Sequence, residues 1–290
     1  MRLVTYNDGA VGVLDGLSVV DISQAVDDRW RGTPYAMTNV IERWGIVAAL
    51  VDELVTSGPR VERGDVRLGP PVPRPRQLLA APLNYRAHVD EMAESRHRPD
   101  GLRESDSPAK LGFFVLAAGS VAGPEDPIEL PALPGRAFHH EIELAVVIGK
   151  ETRRARADEV RSHIFGFMPL LDITLRTAGE NQEERAMRKS FDTFTPIGPA
   201  LVTADEVDLA AGLDLRLWVN GELRQRANTR DLIVGVDELI AQASHVVTLY
   251  PGDIYATGTP AGVGPIVAGD TIRATVEGVG ELVKRVTQRR

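Results

Sequence analysis

The chain has no cysteine. That excludes disulfides, thiolate nucleophiles and Cys-ligated zinc, and it is compatible with a reducing compartment. A basic excess is also missing. Lys and Arg number 33 against 41 Asp and Glu, a net charge near −8. Nucleic acid is therefore not expected as the main partner, because phosphate binding draws on a basic patch. A small anion held by local arginines or by a metal stays compatible with that charge. No uncharged apolar run approaches the ~18 residues of a membrane span. The start, "MRLVTYNDGA", lacks the charged head and apolar stretch of a secretory signal. No fixed-period repeat and no low-complexity tract occurs. A soluble, cytoplasmic protein with neither membrane nor nucleic-acid partner is the expectation.

What is present is ordinary globular material: 290 residues, 43% apolar and 26% charged, enough for a sizeable core. Residues 1–24 read as short strands, with "NDGA" between alternating apolar residues as a hairpin signal. The spacing of Val40, Ile41, Trp44, Val47, Leu50, Val51 and Leu54 predicts one helix over 36–57. Pro70, Pro71, Pro73 and Pro75 then crowd "LGPPVPRPRQ", the sharpest boundary in the sequence. It divides a small β-rich piece, 1–72, from a larger one, 73–290. The second piece opens on a strand, "QLLAAPL". A polar stretch from 92 to 108 follows that reads as a loop or marginal helix. Further strands are expected in "ELAVVIG", "LDLRLWVN", "DIYATG" and "TIRATVEG", with a helix in "VDELIAQASHVVTL". The class is α+β, mainly β.

The chemistry concentrates in "HHEIELAVVIGK", residues 139–150. Glu141 and Glu143 lie in or at the mouth of what reads as a buried strand, Ile142 to Ile148, and residues two apart on a strand share a side. Such a pair repels at close range and is costly to bury without a partner. A divalent cation would satisfy it, and hard oxygen donors suit Mg²⁺, Mn²⁺ or Ca²⁺. The plainer arrangement, two acids on a solvent-facing strand edge, is the commoner one for this pattern. Asp172 in "FGFMPLLDITLR" is a third acid interrupting an apolar segment; it could join the other two or simply cap a turn. In "LNYRAHVDEM", His88 and Glu91 are one helical turn apart, the spacing for a carboxylate-supported base, or for an exposed polar helix start. Lys189 in "RKSFDTFTPIGP" is either an oxyanion partner or solvated surface. The Gly-rich "YATGTPAGVG" is either an anion cradle or a tight turn.

Taken together, "LNYRAHVDEM", "GSVAGPEDPIELP", "HHEIELAVVIGK", "DITLR", "RKSFDTFTPIGPALVT", "VNGELRQ" and "LYPGDIYATGTPAGVG" resemble the fumarylacetoacetate hydrolase family, in its order, across roughly residues 73–286. The resemblance implies a mixed β-roll domain with the small N-terminal piece beside it, usually as a homodimer. It implies Glu141, Glu143 and Asp172 as ligands of Mg²⁺ or Mn²⁺, with Ca²⁺ as a further option. His88 and Glu91 would activate water from a lid, and Lys189 would stabilise the oxyanion. Tyr85, Arg176, Gly258 and Thr259 would meet the substrate, a 1,3-dioxo acid such as an acylpyruvate. Alternatives on the same site are a 2-oxo acid decarboxylase, an isomerase or a hydratase; a non-catalytic binding protein is a further one. Asp90 and Glu94 compete with Glu91 as partner of His88. One departure stands out: many members carry a lysine where this chain has Leu116. The 92–108 stretch would set specificity.

Overall fold

The computed structural model describes residues 1–94, 103, 105–178 and 183–289. A long, largely antiparallel sheet forms the spine. Its strands run in the order Arg60–Glu62, Ser18–Asp21, Ala10–Asp15, Arg2–Tyr6, Leu201–Thr203, Ile164–Leu171, Ile142–Ile148, Ile254–Ala256, Leu78–Ala80 and Phe114–Val115. The N-terminal hairpins thus extend the same sheet as the rest of the chain, through Arg2 opposite Val202 and Leu3 opposite Leu201. A second sheet orders Glu222–Asn228, Asp214–Val219, Thr271–Val276, Gly280–Gln288 and Ile128–Leu130. The fold is mixed, with strands predominating.

The strand Ile142–Ile148 is buried along its whole length, and the reason is its period of two. Leu144, Val146 and Ile148 enter one apolar cluster with Leu215, Leu217, Ile272 and Ala274 of the second sheet and Leu239 and Ile240 of the helix Val236–Val246. Ala145 and Val147 enter another, with Met37, Val40, Ile41, Val47 and Val51. A strand covered on both faces reads as a continuous apolar run, and each such buried side chain contributes roughly 1.5–3 kcal/mol.

One expectation needs correction. The segment 36–57 is two helices, Ala36–Glu42 and Trp44–Ser57, meeting at Arg43. Arg43 leaves helical geometry at φ −94° and ψ 8°. The break turns Trp44 edge-on to Phe165, ring centroids 5.1 Å apart, a contact that the apolar spacing alone does not specify. Most of the 92–108 stretch lies outside the described residues; its end forms a short helix, Pro108–Leu111. Leu116 is fully buried in the second cluster, so a lysine there would bury an ammonium among aliphatic side chains.

Candidate active site

Two adjacent strands of the spine continue past its edge into a small three-stranded sheet. Ile142–Ile148 is preceded by Phe138–His140, and Ile164–Leu171 is followed by Thr174–Leu175. The pairing keeps its register across the junction, with Ile142 opposite Leu171 and His139 opposite Thr174. Glu141 and Asp172 therefore face each other where the chain passes from one sheet to the next, and the Asp172 N–H donates to the Glu141 carbonyl at 2.9 Å. Asp172 caps neither a helix nor a turn. Glu143 stands two residues further along the strand, and ligand atoms of the three acids lie within 4.8 Å of one another. All three are buried.

Like charges directly opposite on a sheet are destabilising, so the cations around them matter. Arg176 Nη2 donates to Glu141 Oε1 at 2.5 Å. Lys189 Nζ donates to Glu141 Oε2 at 2.8 Å, Asp172 Oδ2 at 2.5 Å and Thr174 Oγ1 at 2.7 Å. Burial pushes the Glu141 carboxyl upward, but Lys189 and Arg176 outweigh it and hold the group well below the ordinary carboxylate range. Among the described residues Glu143 has no such partner. Burial, then Asp172, push it well above its ordinary value against the pull of Lys189, and among those residues its Oε2 accepts only the Gly258 N–H, at 2.7 Å. Burial also raises Asp172, whose Oδ1 is buried with no hydrogen-bond partner among the described residues. Three carboxylates against two cations leave one negative charge uncompensated in a dry place, with an oxygen left over. An all-oxygen donor set with that deficit fits a hard divalent cation.

His88 and Glu91 come from the helix Arg86–Glu94. His88 Nδ1 lies 3.0 Å from Glu91 Oε2, the one-turn spacing brought into contact. Asp90 and Glu94, the competing carboxylates, are exposed. His88 is buried and close enough to bear on Glu141. Glu91 Oε1 accepts from the Gly262 N–H at 2.9 Å. One loop, 257–262, thus holds a carboxylate of the acidic group through Gly258 and the histidine's partner through Gly262. Both glycines have positive φ, +99° and +94°. A Cβ on Gly258 would come within 2.8 Å of Asn84 Cβ, and one on Gly262 within 1.9 Å of the Arg224 carbonyl oxygen. Only glycine fits either place.

The remaining expected residues gather here with different degrees of engagement. Tyr85 is buried at the start of the same helix, and its hydroxyl has no partner among the described residues. Desolvation and then Glu143 raise its pKa. Thr259 Oγ1 accepts from Gln225 Nε2 at 2.9 Å, which leaves its own proton free to donate. Lys189 is the surprise: its three ammonium hydrogens already have three acceptors.

Gln225 is a residue that sequence reasoning passed over, although it ends the quoted "VNGELRQ". It is the fully buried member of an otherwise solvent-facing strand. Its Oε1 accepts from Ile142 N at 3.1 Å and from His140 Nδ1 at 3.1 Å, and its Nε2 donates to Thr259 Oγ1 and to the Pro260 carbonyl at 2.8 Å. It ties the acidic strand to the glycine loop. Replacing it by leucine strands several buried polar groups, so Gln225→Leu is expected to cost about 2–4 kcal/mol in urea unfolding. A loss below about 0.5 kcal/mol would show that the tie is not needed.

The sequence model of the fumarylacetoacetate (FAA) hydrolase C-terminal family matches residues 77–287. A maleylpyruvate hydrolase of Aquipseudomonas alcaligenes is 37% identical over 285 residues, 97% of this chain and 98% of that one. A mitochondrial oxaloacetate tautomerase of Bos taurus is 35% identical over 263 residues, 87% of this chain and 80% of its own. Among solved structures, a maleylpyruvate hydrolase from Sphingobium sp. SYK-6, in complex with manganese(II) and pyruvate, superposes with a TM-score of 0.85 at 38% identity, covering all of both chains. With matches of this extent, the chain belongs to the fumarylacetoacetate hydrolase family.

Proposed function

We propose that this protein is a divalent-metal-dependent hydrolase that cleaves a carbon–carbon bond in a 1,3-dioxo acid of the acylpyruvate type. The observation that carries the reading is the glycine loop joining the buried Glu141, Glu143 and Asp172 group to the His88–Glu91 pair. Glu141, Glu143 and Asp172 would hold Mg²⁺ or Mn²⁺. A cation there supplies Lewis acidity toward the substrate's oxygens and accepts charge as the bond breaks.

The chain's own groups carry the rest. His88, with Nδ1 held by Glu91, presents Nε2 as the base that takes a proton from water. Glu91 fixes the tautomer and steadies the imidazolium that results, while Gly262 keeps Glu91 from turning away. The water adds to the carbonyl distal to the carboxylate; collapse of that adduct breaks the bond to the CH2 carbon and frees the acyl acid, and the departing enolate takes up one proton as His88 gives up the one it gained, which completes pyruvate. Thr259 and Tyr85 have hydroxyl protons free to meet substrate oxygens. Gly258 fixes the loop from which Thr259 acts. Arg176 and Lys189 balance the acids; for an oxyanion contact, Lys189 would release Thr174, the neutral one of its acceptors. A small anionic oxo acid as substrate, a homodimer and a cytoplasmic setting complete the proposal.

The test is the enol absorbance of acetylpyruvate. With Mg²⁺ or Mn²⁺ the band should disappear as pyruvate accumulates. EDTA should slow this by about 10³-fold or more, reversibly. Enol–keto interconversion without pyruvate release would instead support the tautomerase reading, which the 35% identical mitochondrial relative makes the main competitor.

A further inference from the structure

Four arginines lie on or beside the segments that carry the acidic group, and among the described residues three of them have acceptors. Arg176 is paired with Glu141. Arg136 holds Glu183 with both terminal nitrogens, at 2.6 and 2.9 Å. Arg188 donates to the Glu183 and Leu175 carbonyls. Arg185 is different: among the described residues it has neither a hydrogen bond nor an ion pair. It opens the short helix Arg185–Arg188, with Lys189 following as its C-terminal cap. Residues four apart share a helix face, and both cations lie over one ring. The Arg185 guanidinium carbon is 5.2 Å and the Lys189 nitrogen 5.5 Å from the Phe114 centroid. Lys189 reaches from there into the acids, while Arg185 stays half-buried and makes no bond to them.

Its surroundings are not those of an idle surface arginine. Burial lowers its pKa, and Glu141 and Asp172 are near enough to oppose that shift. The neighbouring Glu184 is exposed and makes no ion pair with it. A guanidinium stays charged in any case, so a partly desolvated one lacking an acceptor calls for an anion from outside the protein. The charges agree. Arg176 and Lys189 offset Glu141 and Asp172. A divalent cation against Glu143 leaves one positive charge, which the carboxylate next to the 2-oxo group would offset. Arg185 is then still uncompensated, as is Arg188, but Arg188 donates to two carbonyls and Arg185 does not.

We propose that Arg185, stacked on Phe114, is the specificity-determining residue that recognises a second carboxylate at the far end of the substrate, where maleylpyruvate, the compound named for two of the relatives, carries one. This deepens the hydrolase reading and rests on it. Arginine suits the task, since its planar fork can take a carboxylate by two parallel bonds, and the ring beneath keeps the fork oriented. Phe114 comes from the edge strand paired with Leu78–Ala80, Ala80 opposite Phe114. The subsite is thereby fixed to the spine of the fold.

The experiment compares an acylpyruvate bearing a terminal carboxylate, maleylpyruvate, with acetylpyruvate, which has none. Wild-type protein is expected to favour the dianion in kcat/KM by about 10–100-fold, mainly through KM. Arg185→Met should collapse that ratio toward one, and Arg185→Lys should keep part of it. Binding is measured separately by calorimetry on Mn²⁺-loaded His88→Asn protein, with and without Arg185→Met, where turnover is stalled. Tighter binding of the dianion that vanishes with the arginine supports the subsite even if wild-type protein hydrolyses neither compound, a result that would sink the hydrolase reading alone. Equal losses for both acids in Arg185→Met, no preference in the wild type, or no binding of either acid would overturn the proposal.

Discussion

Glu143→Ala is expected to lower divalent-metal affinity by at least about 100-fold and acylpyruvate turnover by about 10³-fold or more. The contrast with its neighbours makes this the most informative ligand to remove. Glu141 and Asp172 each accept from Lys189, and Glu141 from Arg176 as well, so deleting Glu141 would leave Arg176 without its carboxylate and deleting Asp172 would set two buried cations against one acid, either of which destabilises the fold for reasons unrelated to metal. Among the described residues Glu143 accepts only from a main-chain N–H. Its loss removes the uncompensated charge, so the metal-free variant should be no less stable than the metal-free wild type, within about 1 kcal/mol. The wild type should gain roughly 2.7 kcal/mol at a metal concentration one hundred times Kd, and the variant should lose that gain. Glu143→Gln keeps an oxygen for Gly258 and separates the charge from the loop contact. Unchanged metal affinity in both variants, by calorimetry, would sink the three-carboxylate site. A metal-free Glu143→Ala protein that unfolds several kcal/mol earlier would show that the acid is structural.

Much of this site is legible in the sequence, and the part that is not has a physical reason. Ile142–Ile148 can be read because a strand buried on both faces is apolar at every position except Glu143. The His88–Glu91 pair can be read because one helical turn is a local distance. That Glu141 faces Asp172 is a cross-strand fact, fixed by the register with Ile164–Leu171, and no single-strand pattern contains it. For Lys189 the sequence gives a lone lysine in a polar stretch, whereas its acceptors lie 15, 17 and 48 residues away. Gln225 is hidden for the opposite reason. The surrounding "GELRQRAN" is polar, and the one inward position looks like its neighbours. The break at Arg43 escapes notice because the apolar spacing on either side stays helical, and tertiary packing on Phe165 decides the turn.

Replacing His88 by asparagine is expected to lower acylpyruvate hydrolysis by about 10²–10⁴-fold and to leave metal binding close to wild type. The hydrogen bonds of the pair run apart from those of the acidic group. His88 makes its hydrogen bond to Glu91, and Glu91 is tied to Gly262 rather than to Glu141, Glu143 or Asp172. Asparagine fits the buried space with a polar group but cannot take a proton from water. Glu91→Gln keeps the Gly262 contact and removes only the charge that supports the imidazolium, so a smaller loss, about 10–100-fold, is expected. The same variants divide the two chemistries open to this fold. Hydrolysis needs an activated water, whereas proton exchange at the carbon between the two carbonyls needs mainly the polarised oxygens. In heavy water, His88→Asn should therefore continue to exchange that carbon's protons for deuterium, seen by NMR, while pyruvate release nearly stops. Loss of both activities together would make His88 a shared acid–base group and favour a tautomerase. Hydrolysis persisting at the wild-type rate would remove the pair from the mechanism altogether.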